Sequence, residues 1–194
     1  MSDLRERILA CAVDLYLEQG LKGLSMRHMA EKLGVSATAL YRHYRNKEDL
    51  VHNIIGEAVQ VFGSYLATAH AGQTPEERFR LAGEAYLNFA LERSKYYEVM
   101  FLAPDQLGPH AQPEELRQKS MATFQFLVDR VQECMNSGHL RKDDPFSVAM
   151  TVWAHSHGLV SIYLAKKWPL DEAAFRQLYW DSHERMLKGL AYEA

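Results

Sequence analysis

The chain has 194 residues, of which 47% are hydrophobic and 24% charged, and a formal net charge of −3. This composition is ordinary for a soluble globular protein of one sizeable domain or two small ones, and no uninterrupted apolar run approaches the roughly 18 residues of a membrane span, so no membrane partner is expected. The charged start Met-Ser-Asp-Leu-Arg-Glu-Arg does not suit a signal peptide, and two isolated cysteines, Cys11 and Cys134, predict a reducing, cytoplasmic setting with buried thiols.

Residues 3–19 place Leu4, Ile8, Ala12, Leu15 and Tyr16 at helical spacing, and Gly20 ends the run. Ser25 then caps a short helix whose inward face is Met26, Met29, Ala30 and Leu33; small Ala30 leaves room for another helix to cross closely. Gly34 supplies a left-handed or otherwise permissive turn, Val35 plugs the corner, and Ser36 caps the next helix. In that helix Leu40 points inward, while Ala37, Thr38, Tyr41 and Arg42 face out. Two short helices joined by such a turn form a helix-turn-helix, whose second helix reads the major groove.

Asn46 is a good cap for a fourth helix, with Asp49 reaching back, and that helix runs to about Ala71 before Gly72 stops it. Thr74-Pro75-Glu76-Glu77 starts a helix reaching about Arg93. A short helix from Tyr96 to Leu102 follows, and residues 103–112 form the clearest loop. Pro113-Glu114-Glu115 opens a helix that ends at Asn136-Ser137-Gly138. Asp144-Pro145 opens another that runs to about Lys167, where Trp168-Pro169 breaks it, and Asp171 caps the last, which ends near Leu190. No segment alternates with period two. The prediction is all-α with about nine helices: a helix-turn-helix DNA-binding domain over 1–47 and a helical domain over 48–194.

Charge divides at the same place. Residues 1–47 carry eight Lys/Arg against five Asp/Glu, whereas residues 48–194 carry fourteen against twenty. A basic head on an acidic body fits a polyanion-binding head.

Taken together, Arg7-Ile8-Leu9-x-x-Ala12, Gly20, Ser25-Met26-Arg27-x-Met29-Ala30-x-x-Leu33-Gly34-Val35-Ser36 and Leu40-Tyr41-x-x-Tyr44-x-x-Lys47-x-x-Leu50 resemble the N-terminal domain of the TetR/AcrR family of transcriptional regulators. The resemblance covers about residues 1–60, with Tyr44 standing where the family often has Phe. Trp153-Ala154-His155-Ser156-His157-Gly158, together with Tyr96 to Phe101, resembles the subtype of C-terminal domain known by its Trp-His-Gly (WHG) signature. The resemblance implies a homodimer built through the last two long helices and an effector pocket in each C-terminal domain.

The expected DNA-binding residues are Ser25, Arg27, His28, Ser36, Ala37, Thr38, Tyr41, Arg42, His43 and Lys47. Ser25, Arg27 and His28 begin the supporting helix that crosses the backbone, and Ser36 caps the recognition helix. Ala37, Thr38 and Arg42 are the base-reading candidates, because Arg can grip guanine and a Thr methyl can touch thymine. For Arg42 a phosphate contact is the alternative, and His43 either contacts phosphate or packs. Tyr41 is the better backbone contact by resemblance, with Tyr44 partly core. Lys47 can share a phosphate with the helix N-terminus behind it.

In the body, Phe62, Tyr86, Phe89, Met100, Phe101, Phe124, Trp153 and His157 either fill a core or line an apolar effector pocket. Val152, Leu159, Ile162, Phe175, Leu178, Tyr179, Ser182 and Met186 are the expected dimer-interface residues. Gly158 belongs either to that seam or to the pocket. His155 and His157 point roughly 200° apart on a helix and cannot chelate together, and no cluster has zinc spacing, so neither metal nor cofactor is expected. No phosphate loop, Gly-x-Ser-x-Gly or nucleophile–base pair appears, so no enzyme activity is expected. The expected function is a ligand-responsive regulator, a repressor released from a near-palindromic double-stranded operator by a small apolar or aromatic effector. The alternatives are an activator, or an architectural DNA-binding protein without an effector.

Overall fold

A computed structural model describes residues 4–102 and 113–190; the expected loop at 103–112 lies outside them. The elements are α1 (Leu4–Gly23), α2 (Met26–Leu33), α3 (Ala37–Tyr41), α4 (Lys47–Ala67), a 3₁₀ turn (Thr68–Ala71), α5 (Pro75–Glu92), α6 (Ser94–Tyr97), a π-helical turn (Glu98–Leu102), α7 (Glu114–Asn136), α8 (Pro145–Leu164) and α9 (Glu172–Lys188). The all-α fold and the nine helices expected from the sequence are present among the described residues, with no strand element.

The caps explain the boundaries. Gly34 closes α2 at φ 70°, with its amide donating to Glu31 and the Val35 amide donating to Ala30, the paired bonds of a Schellman turn. Gly20 (φ 66°) breaks the helical geometry of α1 where the sequence predicted an end, although the hydrogen-bonded run continues to Gly23. Asn46 accepts from the Asp49 amide at 2.7 Å. Asp49 reaches back one residue further than a capping box requires, to the Arg45 amide at 2.9 Å. Thr74 and Glu77 form a reciprocal box, and Asp144 and Asp171 cap α8 and α9.

The chain separates into two compact units. The first comprises the described parts of Met1–Val61 and Arg93–Met121. Its core joins Ile8, Leu15, Met29, Leu40, Leu50 and Ile54, with Val35 packed at the helix-turn-helix corner. Arg7 of α1 donates to the Leu33 carbonyl at 2.9 Å, satisfying a helix-end acceptor of α2. This unit also takes in residues 94–102. Val99 lies in the same core, Lys95 pairs with Asp14 of α1 at 2.6 Å, and the Tyr96 hydroxyl donates to Glu57 of α4 at 2.6 Å. Burial and that carboxylate push the Tyr96 phenol well above its usual range.

The second unit comprises Phe62–Glu92 and the described part of Ala122–Ala194. One core cluster joins Phe79, Val131, Cys134, Met135, Leu140, Val148, Ala149 and Val152. Tyr163 stacks on Phe175 with centroids 4.0 Å apart, and the Tyr179 hydroxyl donates to the Gly83 carbonyl at 3.3 Å. Arg176 ties α9 to α5 through Asn88 at 2.7 Å. Helix α4 runs from the first unit into the second, since residues 47–61 belong to one and 62–67 to the other.

Candidate DNA-binding surface and regulatory core

α3 has five residues, too few to persist as an isolated helix. Leu40, with no exposed surface, anchors it to the first unit's core. Around this anchor Ser36, Thr38, Tyr41, Arg42 and His43 are all exposed. Tyr41 leaves 55% of its surface open, an uncovered aromatic ring on an otherwise polar face. Ala37, expected to face outward, is half-buried against the core, because the tight turn at Gly34 brings the start of α3 down beside α2.

Ser25 and Ser36 spend their side-chain oxygens on the amides of His28 and Ala39, at 3.4 and 3.2 Å. Each hydroxyl keeps its proton available for a phosphate oxygen. Arg27 donates to Glu31 at 3.3 Å, but both side chains are largely exposed. Such an i, i+4 pair contributes little and yields readily to a competing phosphate. His28 is exposed one residue further on. Arg42 and Arg45 have no carboxylate partner among the described residues, and Lys47 is half-buried as the first residue of α4. Tyr44, by contrast, is core: its ring is buried and desolvation raises its phenol, opposed by Arg5.

In the second unit six of the expected pocket residues form a run of rings. Phe62 meets Phe89 at 4.8 Å and Tyr86 at 5.9 Å between centroids, Trp153 stacks on His157 at 5.1 Å, and Phe124 meets Trp153 edge-on at 6.3 Å. The Tyr86 hydroxyl lies 3.4 Å from His157 Nδ1, and Ser161 Oγ lies 3.4 Å from Nε2. Both distances are at the long end for hydrogen bonds. Burial lowers the pKa of His157, which favours a neutral imidazole with one donor and one acceptor. Met100 and Phe101 belong to the first unit instead, where Phe101 packs on Tyr97 at 5.0 Å. The π-helical turn directs this segment into the head, which residue spacing alone does not reveal.

The expected dimer residues also divide. Val152, Phe175 and Tyr179 are buried in the second unit's own core, so they cannot supply first contacts to a partner. Met186 packs partly against that core, and Leu159 and Ser182 are half-buried. Ile162 and Leu178 are 42% and 41% exposed. A Cβ built on Gly158 meets nothing within 4 Å, so this glycine faces open space within the chain.

A buried polar pair was not foreseen. The Ser156 hydroxyl lies 2.8 Å from His183 Nε2 and 2.9 Å from the Val152 carbonyl, while His183 Nδ1 lies 2.9 Å from the Tyr179 carbonyl. Because a carbonyl can only accept, Nδ1 carries the proton. Burial depresses His183 to about 4. The unfolded chain therefore binds more protons than the folded chain between about 6.5 and 4, and stability falls as pH drops through that window. Melting temperature measured from pH 7 to 4 is expected to fall over this range, and His183→Phe is expected to flatten the decline.

Among the described residues no group of three or more His, Cys, Asp or Glu is placed to hold a metal ion, and no helix is long and apolar enough to cross a membrane.

A family model described as "Tetracyclin repressor-like, C-terminal domain" matches residues 79–186, and the model for bacterial regulatory proteins of the tetR family matches residues 8–54. The chain belongs to the TetR family. Its members are transcriptional regulators, and the N-terminal match encloses the helix-turn-helix described above. This TetR-family chain is similar to the HTH-type transcriptional repressor KstR2 of Mycolicibacterium smegmatis, with 23% identity over 142 residues, covering 72% of this chain and 68% of that protein. An HTH-type transcriptional regulator of Staphylococcus aureus is 36% identical over 58 residues, which cover 30% of this chain and 31% of that one. Among solved structures, a ketosteroid transcriptional regulator KstR2 of Mycobacterium tuberculosis shares the fold with a TM-score of 0.78 at 18% identity, over 100% of this chain and 97% of that one. The transcriptional regulator FadR from Bacillus subtilis, in complex with stearoyl-CoA, has a TM-score of 0.75 at 18% identity, over 95% and 98%.

Proposed function

We propose that this TetR-family regulator is a homodimeric repressor that leaves a near-palindromic operator when a small apolar or aromatic effector binds its C-terminal domain. The observation that carries the DNA-reading assignment is the contrast within α3, where Leu40 is fully buried and its neighbours Tyr41, Arg42 and His43 are exposed. Thr38 and Arg42 are the base-reading residues, and Ser25, Arg27, His28, Ser36, Tyr41, His43 and Lys47 hold the sugar-phosphate backbone. Half-buried Ala37 serves as the spacer that lets the groove wall approach. We place this role in residues 1–47 and sensing and dimerisation in 48–194.

The ring cluster around Trp153 and His157 supports an apolar effector with a neutral polar group. Its two long hydrogen bonds leave His157 able to exchange a protein partner for a ligand carbonyl or hydroxyl. Curated naming of one relative as a repressor, and the acyl-CoA carried by a structural neighbour, fit the same direction. Helix α4 is the connecting element, because it begins at Lys47 and continues into the second unit. An effector must prefer the state that binds DNA poorly for release to follow.

Lys47→Ala is expected to weaken binding to every duplex, specific or not, and to reduce the slope of log affinity against log salt by about 1. Fluorescence anisotropy titrations at several salt concentrations measure both. Unchanged affinity and slope would remove Lys47 from the interface.

A further inference from the structure

Arg130 of α7 is only 8% exposed. Its Nη2 donates to Glu133 at 2.5 Å, and its guanidinium lies over the Phe126 ring, 4.7 Å from the centroid. Nε and Nη1 are sealed from solvent and have no hydrogen-bond partner among the described residues. Three of the five N–H bonds of this cation therefore meet no acceptor. Glu133 does not neutralise the site alone, because its other oxygen takes Arg78 at 3.0 Å. Arg78 gives its Nε to Glu133 and its Nη1 to the carbonyls of Gly72 and Gln73, at 3.1 and 3.4 Å. Two guanidiniums thus share one carboxylate, and the surplus charge sits on the deeper one. His70, exposed on the 3₁₀ turn, packs edge-on against Phe126 at 5.4 Å and marks the solvent side.

A buried cation with Nε and Nη1 unsatisfied is costly, because the lost hydration of those donors is replaced by nothing of equal strength. The Phe126 face offsets part of that cost but accepts no conventional hydrogen bond. We infer that Arg130 is the anchor of an oxyanion site in the second unit, taking a carboxylate or phosphate group past Phe126 and His70. The incoming oxygens would accept from Nε and Nη1 while Glu133 keeps Nη2. This site stands apart from the ring cluster: Arg130 and Phe124 are about 120° apart around α7 by helical geometry. On its solvent side His70 belongs to the 3₁₀ turn (Thr68–Ala71) that directly follows α4, so an anion held there would lie beside the end of the helix that begins at Lys47.

The test is thermal melting of the full chain at constant ionic strength, with inorganic phosphate and with octanoate, using octan-1-ol as the uncharged counterpart. Wild type is expected to gain a saturable rise of about 2–4 °C with phosphate, octanoate or both. A rise with phosphate alone assigns the site to free or esterified phosphate, and a rise with octanoate alone assigns it to a carboxylate on an apolar chain. R130M is expected to lose the rise and to melt no lower than wild type without ligand. R130K, which keeps the charge, covers the case in which R130M does not fold, and is expected to retain a smaller rise. R176Q is the control, because that guanidinium already serves Glu172 and Asn88. The inference is overturned if neither anion shifts wild type, if octan-1-ol matches octanoate while phosphate is silent, or if the rise survives in R130M.

Discussion

Replacing Leu40 with Ala is expected to cost about 2–5 kcal/mol of head stability and to abolish operator binding with it. Leu40 is the fully buried side chain of a five-residue helix, so no second anchor within α3 compensates for its loss. The neighbouring change Tyr41→Ala should behave oppositely. Its ring is more than half exposed, so stability should stay within about 0.5 kcal/mol of wild type while operator affinity falls. Thermal melts and anisotropy titrations on the same two variants separate folding from contact. Equal losses of stability in both would mean that α3 is held by its outer face, contrary to the packing described.

The second large effect is expected at Gly158. Within the chain a Cβ added there meets nothing within 4 Å, and a mid-helix glycine is about 1 kcal/mol less favourable than alanine. Gly158→Leu should therefore leave the folded protomer as stable as wild type or slightly more so. If two copies join through the exposed faces of α8 and α9, the same leucine stands where close helix approach is needed and dimerisation should fail. Operator affinity would then fall steeply, because one head alone contacts only one half-site. Sedimentation velocity at micromolar concentration reads the outcome. A Gly158→Leu dimer as tight as wild type would move the seam away from this glycine.

Local chemistry made most of the fold legible. Ser25, Gly34, Ser36, Asn46, Thr74, Asp144 and Asp171 stand at helix ends because each solves a hydrogen-bonding problem that one residue's side chain or backbone can solve. Leu40 inside and Tyr41 outside follow from helical periodicity, and they survive in the structure. Contacts between segments distant in sequence were less legible. Nothing in Lys95, Tyr96 or Val99 announces Asp14, Glu57 and the head core as their neighbours, because that packing depends on how the chain returns after α5. For the same reason Met100 and Phe101 were grouped with Trp153 by type, although they belong to the other unit. Phe175, Leu178 and Tyr179 are all apolar residues of the last helix, and hydrophobicity alone does not say that Phe175 and Tyr179 turn inward while Leu178 turns out. Arg130 and Glu133 resemble an ordinary solvated i, i+3 pair in sequence, and only the burial of Arg130 distinguishes them.

In the proposed function the exposed face of α3 reads a specific, two-fold DNA site. Selection of bound duplexes from a random library with the purified 194-residue chain is the decisive measurement. One enriched near-palindromic motif is expected, with half-sites about one helical turn or a multiple of it apart, and its loss from the selection with Arg42→Ala or Tyr41→Ala. A library that returns no motif, with equal affinity for every duplex at physiological salt, would contradict it.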